Sequence, residues 1–198
     1  NAVDVFIREL GYSELMTGVI YLGVLSFANT LLSLPFSIYS TFVIEKKFGF
    51  NKTTVKTFVT DLIKGLLITL IIGAPLLMAV LWFFETMGSN AWLYVWIFIA
   101  VFQLIMLFLA PVVIMPLFNK FEPLEDGELK EKITTYAEKE NFSLKGVYTM
   151  DGSKRSTKSN AFFTGFGKFR RIVLFDTLIE KHTADELLVV LAHEMGHF

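Results

Sequence analysis

Two histidines and a glutamate stand close together at the end of the sequence, in the run His193-Glu194-Met195-Gly196-His197. On a helix, residues four apart lie one above the other on the same face, so both imidazoles can reach a single ion. Two histidines at this spacing, with a glutamate after the first, form the zinc-binding pattern His-Glu-x-x-His. The pattern predicts that His193 and His197 hold Zn²⁺.

The glutamate of this pattern, Glu194, lies about 100° around the helix from His193, where it can touch water at the metal without ligating the metal. Zinc lowers the pKa of water, and a neighbouring carboxylate can take the proton as the oxygen attacks a peptide carbonyl. The same carboxylate can return the proton to the leaving amine. We therefore interpret Glu194 as a general base and predict peptide-bond hydrolysis.

A catalytic zinc site needs a third protein ligand as well as an open position. The sequence has no cysteine, and its remaining histidine, His182, lies too far from His193 at about 1.5 Å per helical residue. Asp185 and Glu186 fall about two turns away. We expect the third ligand beyond Phe198, and we expect this stretch alone to bind zinc poorly and to be inactive.

The ends of the sequence look like the ends of an internal segment. Asn1 is not a methionine, no signal-peptide pattern follows it, and no helix-stop residue separates His197 from the last position. We therefore expect the chain to be the N-terminal or middle part of a longer protein.

The composition indicates a membrane protein. Hydrophobic residues make up 54% of the chain and mean hydropathy is +0.55, above the roughly 45–50% apolar content of soluble domains. Basic and acidic residues nearly balance, at 18 and 19, so nothing indicates a nucleic-acid partner. Three runs exceed the roughly 20 residues that cross a bilayer, and they cover residues 15–44, 62–84 and 91–117.

Basic residues predict the orientation of these spans. Five lysines lie between the end of the first run and the third residue of the second, whereas the turn at 85–90 has none. Because short cytoplasmic loops are rich in Lys and Arg, the lysine-rich loop is expected in the cytoplasm, and the part after Leu117 with it. The lysines are Lys46, Lys47, Lys52, Lys56 and Lys64.

The region after Asn119 has the composition of a water-exposed domain. Its patterns predict one amphipathic helix, three short strands and a final helix that begins at Thr183. The fold class is therefore mostly α: polytopic transmembrane helices in 1–118, followed by a cytoplasmic α+β zinc-protease domain in 119–198. The predicted helix and strands are Asp126–Asn141, Lys145–Asp151, Asn160–Gly165 and Arg171–Phe175.

Six blocks of the sequence carry a family resemblance: Ile44–Lys52, Pro116–Leu124, Asp151–Ser156, Ser159–Phe163, Arg171–Leu178 and His193–His197. They resemble the Ste24-type CAAX prenyl proteases of family M48. The resemblance implies an integral-membrane zinc endopeptidase whose helices enclose an intramembrane chamber. It also implies that His193 and His197 are ligands, that Glu194 is the general base, and that a glutamate on a later helix is the third ligand.

The same resemblance implies a substrate-binding role for Asn160, Ala161 and Phe162, which correspond to an edge strand that pairs with extended substrate. Eukaryotic members usually have histidine at the position of Lys158 and tyrosine at that of Phe162, so the sequence departs from them there.

Three functions remain open from the sequence. One is CAAX-type cleavage of a peptide or protein substrate, with or without a lipid modification, at the cytoplasmic membrane face. Another is quality control of damaged membrane proteins by the same chemistry. The third is a non-catalytic membrane scaffold, against which the intact Glu194 argues. The lipid bilayer is a partner in all three, in the endoplasmic reticulum of a eukaryote or the plasma membrane of a prokaryote.

Overall fold

The structure, a computed structural model, describes residues 2–165 and 170–196. The chain divides into two compact units. One combines Asn1–Ile44 with Val55–Gln103, and the other combines Glu45–Thr54 with Leu104–Phe198. This division follows contacts within the chain and leaves the expected boundary at residue 118 untested.

Long apolar helices form the first unit. Three helical stretches are long and apolar enough to cross a membrane, Glu14–Glu45, Val55–Thr86 and Gly88–Phe118. They confirm the three predicted spans. The individual α-helices are α1 (Ala2–Glu9), α2 (Glu14–Tyr39), α3 (Val55–Ile68), α4 (Ala74–Thr86) and α5 (Ala91–Leu109), which continues into the second unit.

The second span begins earlier than its hydropathy indicated. It starts at Val55 rather than Leu62, so Lys56 and Lys64 lie on α3 and not in the preceding loop. Lysine favours helix formation, and its long apolar stem lets the ammonium reach the headgroup region from a helix end. The lysine-rich loop is therefore shorter than predicted.

Prolines accompany two of the three wide, π-helical turns in these helices. A proline ring clashes with the carbonyl four residues earlier. For Pro75 that residue is Ile71, inside the π-helical turn Thr69–Gly73. The turn Ala110–Ile114 stands in the same relation to Pro116. A widened turn accommodates the ring without ending the helix.

The second unit contains a four-stranded sheet in the order β1-β2-β4-β3. β2 and β4 are parallel, and β1 and β3 flank them in antiparallel pairs. The three predicted strands are confirmed as β2–β4; β1 was not predicted, because three residues that include a proline give no alternating pattern. The strands are β1 (Phe121–Pro123), β2 (Gly146–Met150), β3 (Ala161–Thr164) and β4 (Arg171–Phe175).

The described residues of this unit also form four α-helices: α6 (Met115–Phe118), α7 (Glu128–Lys139), α8 (Asp176–Ile179) and α9 (Ala184–Met195). The predicted helix at 126–141 is confirmed as α7. It packs against α9, and α9 packs against β3. The most deeply buried side chains join these elements in one cluster, and they are Ile133, Ile172, Leu174, Leu187 and Leu191.

The start of α9 is held by a capping box. The Thr183 hydroxyl accepts from the main-chain N–H of Glu186, and the Glu186 carboxylate accepts from the main-chain N–H of Thr183. The hydrogen bonds from the backbone and side chain of Thr183, with the nearby charge of His182, lower the pKa of Glu186. Because the pKa of Glu186 is lower in the folded state, its ionised carboxylate stabilises the fold above the ordinary glutamate pKa. This stabilisation is lost as the pH falls through the lowered value.

Replacing Thr183 by Ala is expected to reduce the free energy of unfolding of this unit by about 1 kcal/mol, the typical cost of losing an N-cap. Thermal unfolding of the full-length protein measures the change. Thr134→Ala is the matched control, because the Thr134 hydroxyl donates only to Lys130 O inside α7. Equal melting temperatures for Thr183→Ala and the control would contradict the capping role.

Candidate functional site

Helix α9 carries the first two residues of the His-Glu-x-x-His pattern. Leu187 and Leu191, one turn apart, are buried in the core, and they fix which side of the helix faces the sheet. His193 lies on the other side and is exposed. The neighbouring Val189 is 70% exposed, so an apolar surface adjoins the imidazole.

Glu194 is half-buried, and the next residue, Met195, packs into the core. The predicted ligand His197 lies outside the described residues. Among residues 2–165 and 170–196, no three His, Asp or Glu side chains group closely enough to hold a metal ion. In the part of the chain that the structure describes, the site therefore consists of one candidate ligand and the candidate base.

Strand β3 lies beside this helix. Ala161, its first residue, is buried in the same cluster as Leu191 and Met195. Strand β3, which carries Ala161 and Phe162, is therefore in direct contact with α9, which carries His193.

The main chain of β3 has an inner and an outer side. The Phe175 N–H donates to the carbonyl of Asn160 at 3.0 Å, so Asn160 faces β4. Because alternate residues of an antiparallel strand pair on opposite sides, Ala161 turns its N–H and carbonyl to the outer edge of the sheet. Asn160 Oδ1 accepts from that N–H at 2.9 Å. Asn160 thus covers the first outward donor of the strand.

Phe162 packs on the sheet face with Phe175, where the ring centroids are 6.1 Å apart and nearly perpendicular. The same Phe175 ring approaches Gly152, where an added Cβ would lie 2.5 Å from its Cδ2 atom. The close approach of the Gly152 backbone to the ring fixes Phe175, and through it Phe162.

The residues that lead into β3, 157–160, form an approach segment that α8 and its C-terminal flank hold in place. The buried Thr177 donates its hydroxyl to Lys158 O at 2.9 Å, and Ser159 Oγ donates to Thr177 O at 3.1 Å. The Lys181 ammonium donates to Thr157 O. These bonds fix the direction from which the chain enters the strand.

The loop before this segment is also anchored. Arg155 donates to the Phe118 carbonyl at 2.7 Å and to Asn119 Oδ1, at the end of the third span. Asp151 Oδ1 accepts from Lys120 N at 2.7 Å. The block Asp151–Ser156, which carried part of the family resemblance, therefore serves to attach the sheet to the chain that leaves that span.

Sequence reasoning did not identify Arg155, Thr177 or Lys181 as residues that position the site. Each makes its contacts through tertiary structure, and neither periodicity nor motif spacing reports such partners. The available signal was indirect, since Arg155 and Thr177 lie inside blocks that resemble the family.

Two family models match almost the whole chain. The first, described as CAAX prenyl protease N-terminal, five membrane helices, covers residues 1–120. The second, peptidase family M48, covers residues 123–198.

Curated relatives of the chain are also named as CAAX prenyl proteases. The chain is 47% identical to CAAX prenyl protease 1 of Saccharomyces cerevisiae over 94% of its own length and 41% of the relative's. It is 35% identical to CAAX prenyl protease 1 homolog of Homo sapiens over 93% of its own length and 47% of the relative's. The chain thus spans less than half the length of these relatives.

A solved structure agrees with the fold. The crystal structure of S. mikatae Ste24p matches with a TM-score of 0.89 and 49% sequence identity. The match covers 93% of this chain and 44% of that one. The helices and the small sheet described above are therefore those of a known architecture.

Proposed function

Since the chain belongs to peptidase family M48, in its CAAX prenyl protease (Ste24) group, we propose that the full-length protein is a membrane-integral zinc endopeptidase. The observation that carries the proposal is the placement of His193 and Glu194 on a capped helix that packs against an edge strand. Metal, base and an extended substrate can meet at this contact.

The donor chemistry of the site fits zinc. The chain has no thiol, and imidazole and carboxylate are the remaining ligand types that zinc favours. His193 is exposed on the side of α9 away from the core, as a ligand that must reach an ion outside the core requires. His193 and His197 would hold the ion, with a third ligand from the rest of the full-length protein.

When bound, Zn²⁺ supplies Lewis-acid chemistry: it makes water more acidic and polarises a carbonyl. Glu194 takes a proton from the attacking water and donates it to the departing amine nitrogen. One carboxylate therefore serves in both halves of peptide hydrolysis. Because Glu194 is half-buried, its side chain can adopt fewer conformations than that of an exposed glutamate.

The substrate would lie along β3. A peptide that adds to the sheet edge is held stretched by main-chain hydrogen bonds, with its side chains directed alternately to either side. Ala161 offers its carbonyl on the outer side of the strand. Its N–H becomes available if the Asn160 amide swings aside, so we propose that Asn160, Ala161 and Phe162 contact substrate.

We propose CAAX-type cleavage at the cytoplasmic membrane face as the activity, with a prenylated peptide as substrate. The names of the relatives support this choice, and the lysine-rich loop between the first two spans supports the orientation. The endoplasmic reticulum membrane is the proposed location in a eukaryote, and the plasma membrane in a prokaryote.

The test uses the full-length protein, purified in detergent without chelators. We expect about one zinc per chain, and cleavage of a farnesylated CAAX peptide that stops on treatment with 1,10-phenanthroline and returns when Zn²⁺ is added. Measuring metal content and peptide cleavage on the same samples checks both. Cleavage that survives complete metal removal would contradict the mechanism.

The substrate class is tested separately. The farnesylated peptide is compared with the same peptide lacking the lipid, and with an unfolded membrane protein. A preference for the farnesylated peptide supports the CAAX assignment. Equal or better cleavage of the unfolded protein would favour the quality-control function and leave the zinc chemistry in place.

A further inference from the structure

The loop between the first two spans in sequence, Glu45–Thr54, which we call the interspan loop, belongs to the same compact unit as the sheet. It pairs with the chain just before β3. Lys52 N–H donates to Arg155 O at 2.9 Å, and Thr157 N–H donates to Phe50 O at 3.0 Å. Asn51 and Ser156 form an antiparallel bridge between them. Although about a hundred residues apart, the two segments form a short antiparallel pairing.

The interspan loop is folded on itself where it makes this pairing. The carbonyl of Glu45 accepts from the N–H groups of Phe50 and Asn51 at 2.8 and 3.2 Å. Gly49 provides the turn, with a φ of +73° in the region that favours glycine. The Gly49 carbonyl accepts from the Thr157 hydroxyl at 3.2 Å. The loop therefore meets its partner as a preformed turn, with Glu45 at its base.

One ion pair joins the base of this turn to the approach segment. Lys158 Nζ lies 3.0 Å from Glu45 Oε1 and 5.1 Å from the centroid of the Phe50 ring. The side chains are 58% and 33% exposed, so solvent screens the pair and it adds little to stability. The Lys158 ammonium nevertheless has two partners on the loop, and together they fix its direction.

The approach segment is thus held from two sides. On one side, Thr177 binds the carbonyl of Lys158. On the other, Glu45 binds the ammonium of the same residue. Two residues further on, Asn160 and Ala161 begin the edge strand. A shift of Lys158 would therefore be passed on to the first main-chain groups that could pair with substrate.

We propose that Glu45 and Lys158 are a positioning pair, through which the interspan loop sets the edge strand β3 for its substrate. The inference rests on the proposed function, because it assigns a task to the strand that would hold the peptide. Main-chain hydrogen bonds between a strand and a peptide are sensitive to changes of tenths of an ångström in the donor–acceptor distance. A small displacement of β3 therefore weakens substrate binding and misplaces the scissile bond.

The experiment is a charge-reversal cycle in the full-length protein. Glu45→Lys and Lys158→Glu each place like charges together, and the double variant restores an opposite pair. We expect kcat/KM for the farnesylated peptide to fall about tenfold in each single variant, mainly through a higher KM, and to recover to within about threefold of wild type in the double variant. Zinc content and melting temperature should stay at wild-type values in all three.

Lys46→Glu is the matched control, because Lys46 is the exposed neighbour of Glu45 and the change reverses the same kind of charge. It should leave kcat/KM unchanged. Single variants as active as wild type, or a double variant as impaired as the singles, would overturn the positioning pair while wild-type cleavage upholds the proposed function. A wild-type protein that never cleaves would overturn both.

A cross-link tests whether the loop stays docked during turnover. Antiparallel bridge partners have Cα atoms about 4.5–5.5 Å apart, a span that a disulfide can close. Residues 1–198 hold no cysteine, and any cysteine elsewhere in the full-length protein is first replaced by serine. Asn51→Cys with Ser156→Cys, oxidised with glutathione disulfide, should keep kcat/KM within about twofold of the reduced form. Activity lost on oxidation and regained on reduction would show that the loop must leave, and would overturn the inference.

Discussion

Replacing Glu194 by Gln in the full-length protein is expected to abolish peptide cleavage and to leave zinc bound. Glutamine is close in size and cannot accept the proton from attacking water, so the general-base contribution of about 10²–10⁴-fold is lost from kcat. The metal stays because His193, and not Glu194, is the candidate ligand on this part of α9. Single-turnover cleavage of the farnesylated peptide and metal analysis of the same sample measure the two effects.

Glu138→Gln is the matched control for this experiment. Glu138 lies exposed on α7, and the same change there should leave both activity and zinc content at wild-type levels. Retention of more than about a tenth of wild-type kcat in Glu194→Gln would mean that another group acts as the base.

His193→Gln is expected to remove the metal itself. Loss of an outer hydrogen-bond partner of a metal ligand already weakens metal binding about 10–100-fold, so loss of the ligand should weaken it by more than about 100-fold. Purified protein should then contain little zinc, and cleavage should fall to background. Competition with a fluorescent zinc chelator gives the affinity, and metal analysis gives the stoichiometry.

His182→Gln provides the comparison on the same stretch of chain. The His182 side chain is 41% exposed, and its Nδ1 lies 3.7 Å from Glu186. Because this histidine precedes the start of α9, its loss should leave zinc content and cleavage unchanged. Equal zinc loss in both variants would indicate that unfolding, and not ligand removal, is responsible.

Local patterns predict the membrane spans, helix α9 and three of the four strands in the described residues. Apolar runs longer than a bilayer is thick predict helices whatever their neighbours. The helix α9 combines a capping box at Thr183 with buried leucines one turn apart, and both signals lie within a few residues of one another. For the same reason His193 and Glu194 could be placed on a helix before their surroundings were known.

The contacts that position the site could not be predicted in this way. Lys158 and Glu45 are 113 residues apart, and Arg155 and Asn119 are 36 apart. A surface lysine meets its partner only after the chain has folded. Composition alone therefore identifies the interspan loop only as a determinant of membrane orientation. Helix α8 could not be predicted for a related reason, because its four residues are too few to show a helical period.

The two edges of the sheet differ in a way that bears on the proposed binding of an extended peptide. β1 is only three residues long and ends in Pro123, which has no N–H to donate. A strand this short that ends in proline is a poor template for pairing with another strand, whereas β3 is free of proline. An extended peptide that docks by main-chain pairing would therefore add to the edge at β3, beside α9, and not to the edge at β1, where binding would be unproductive.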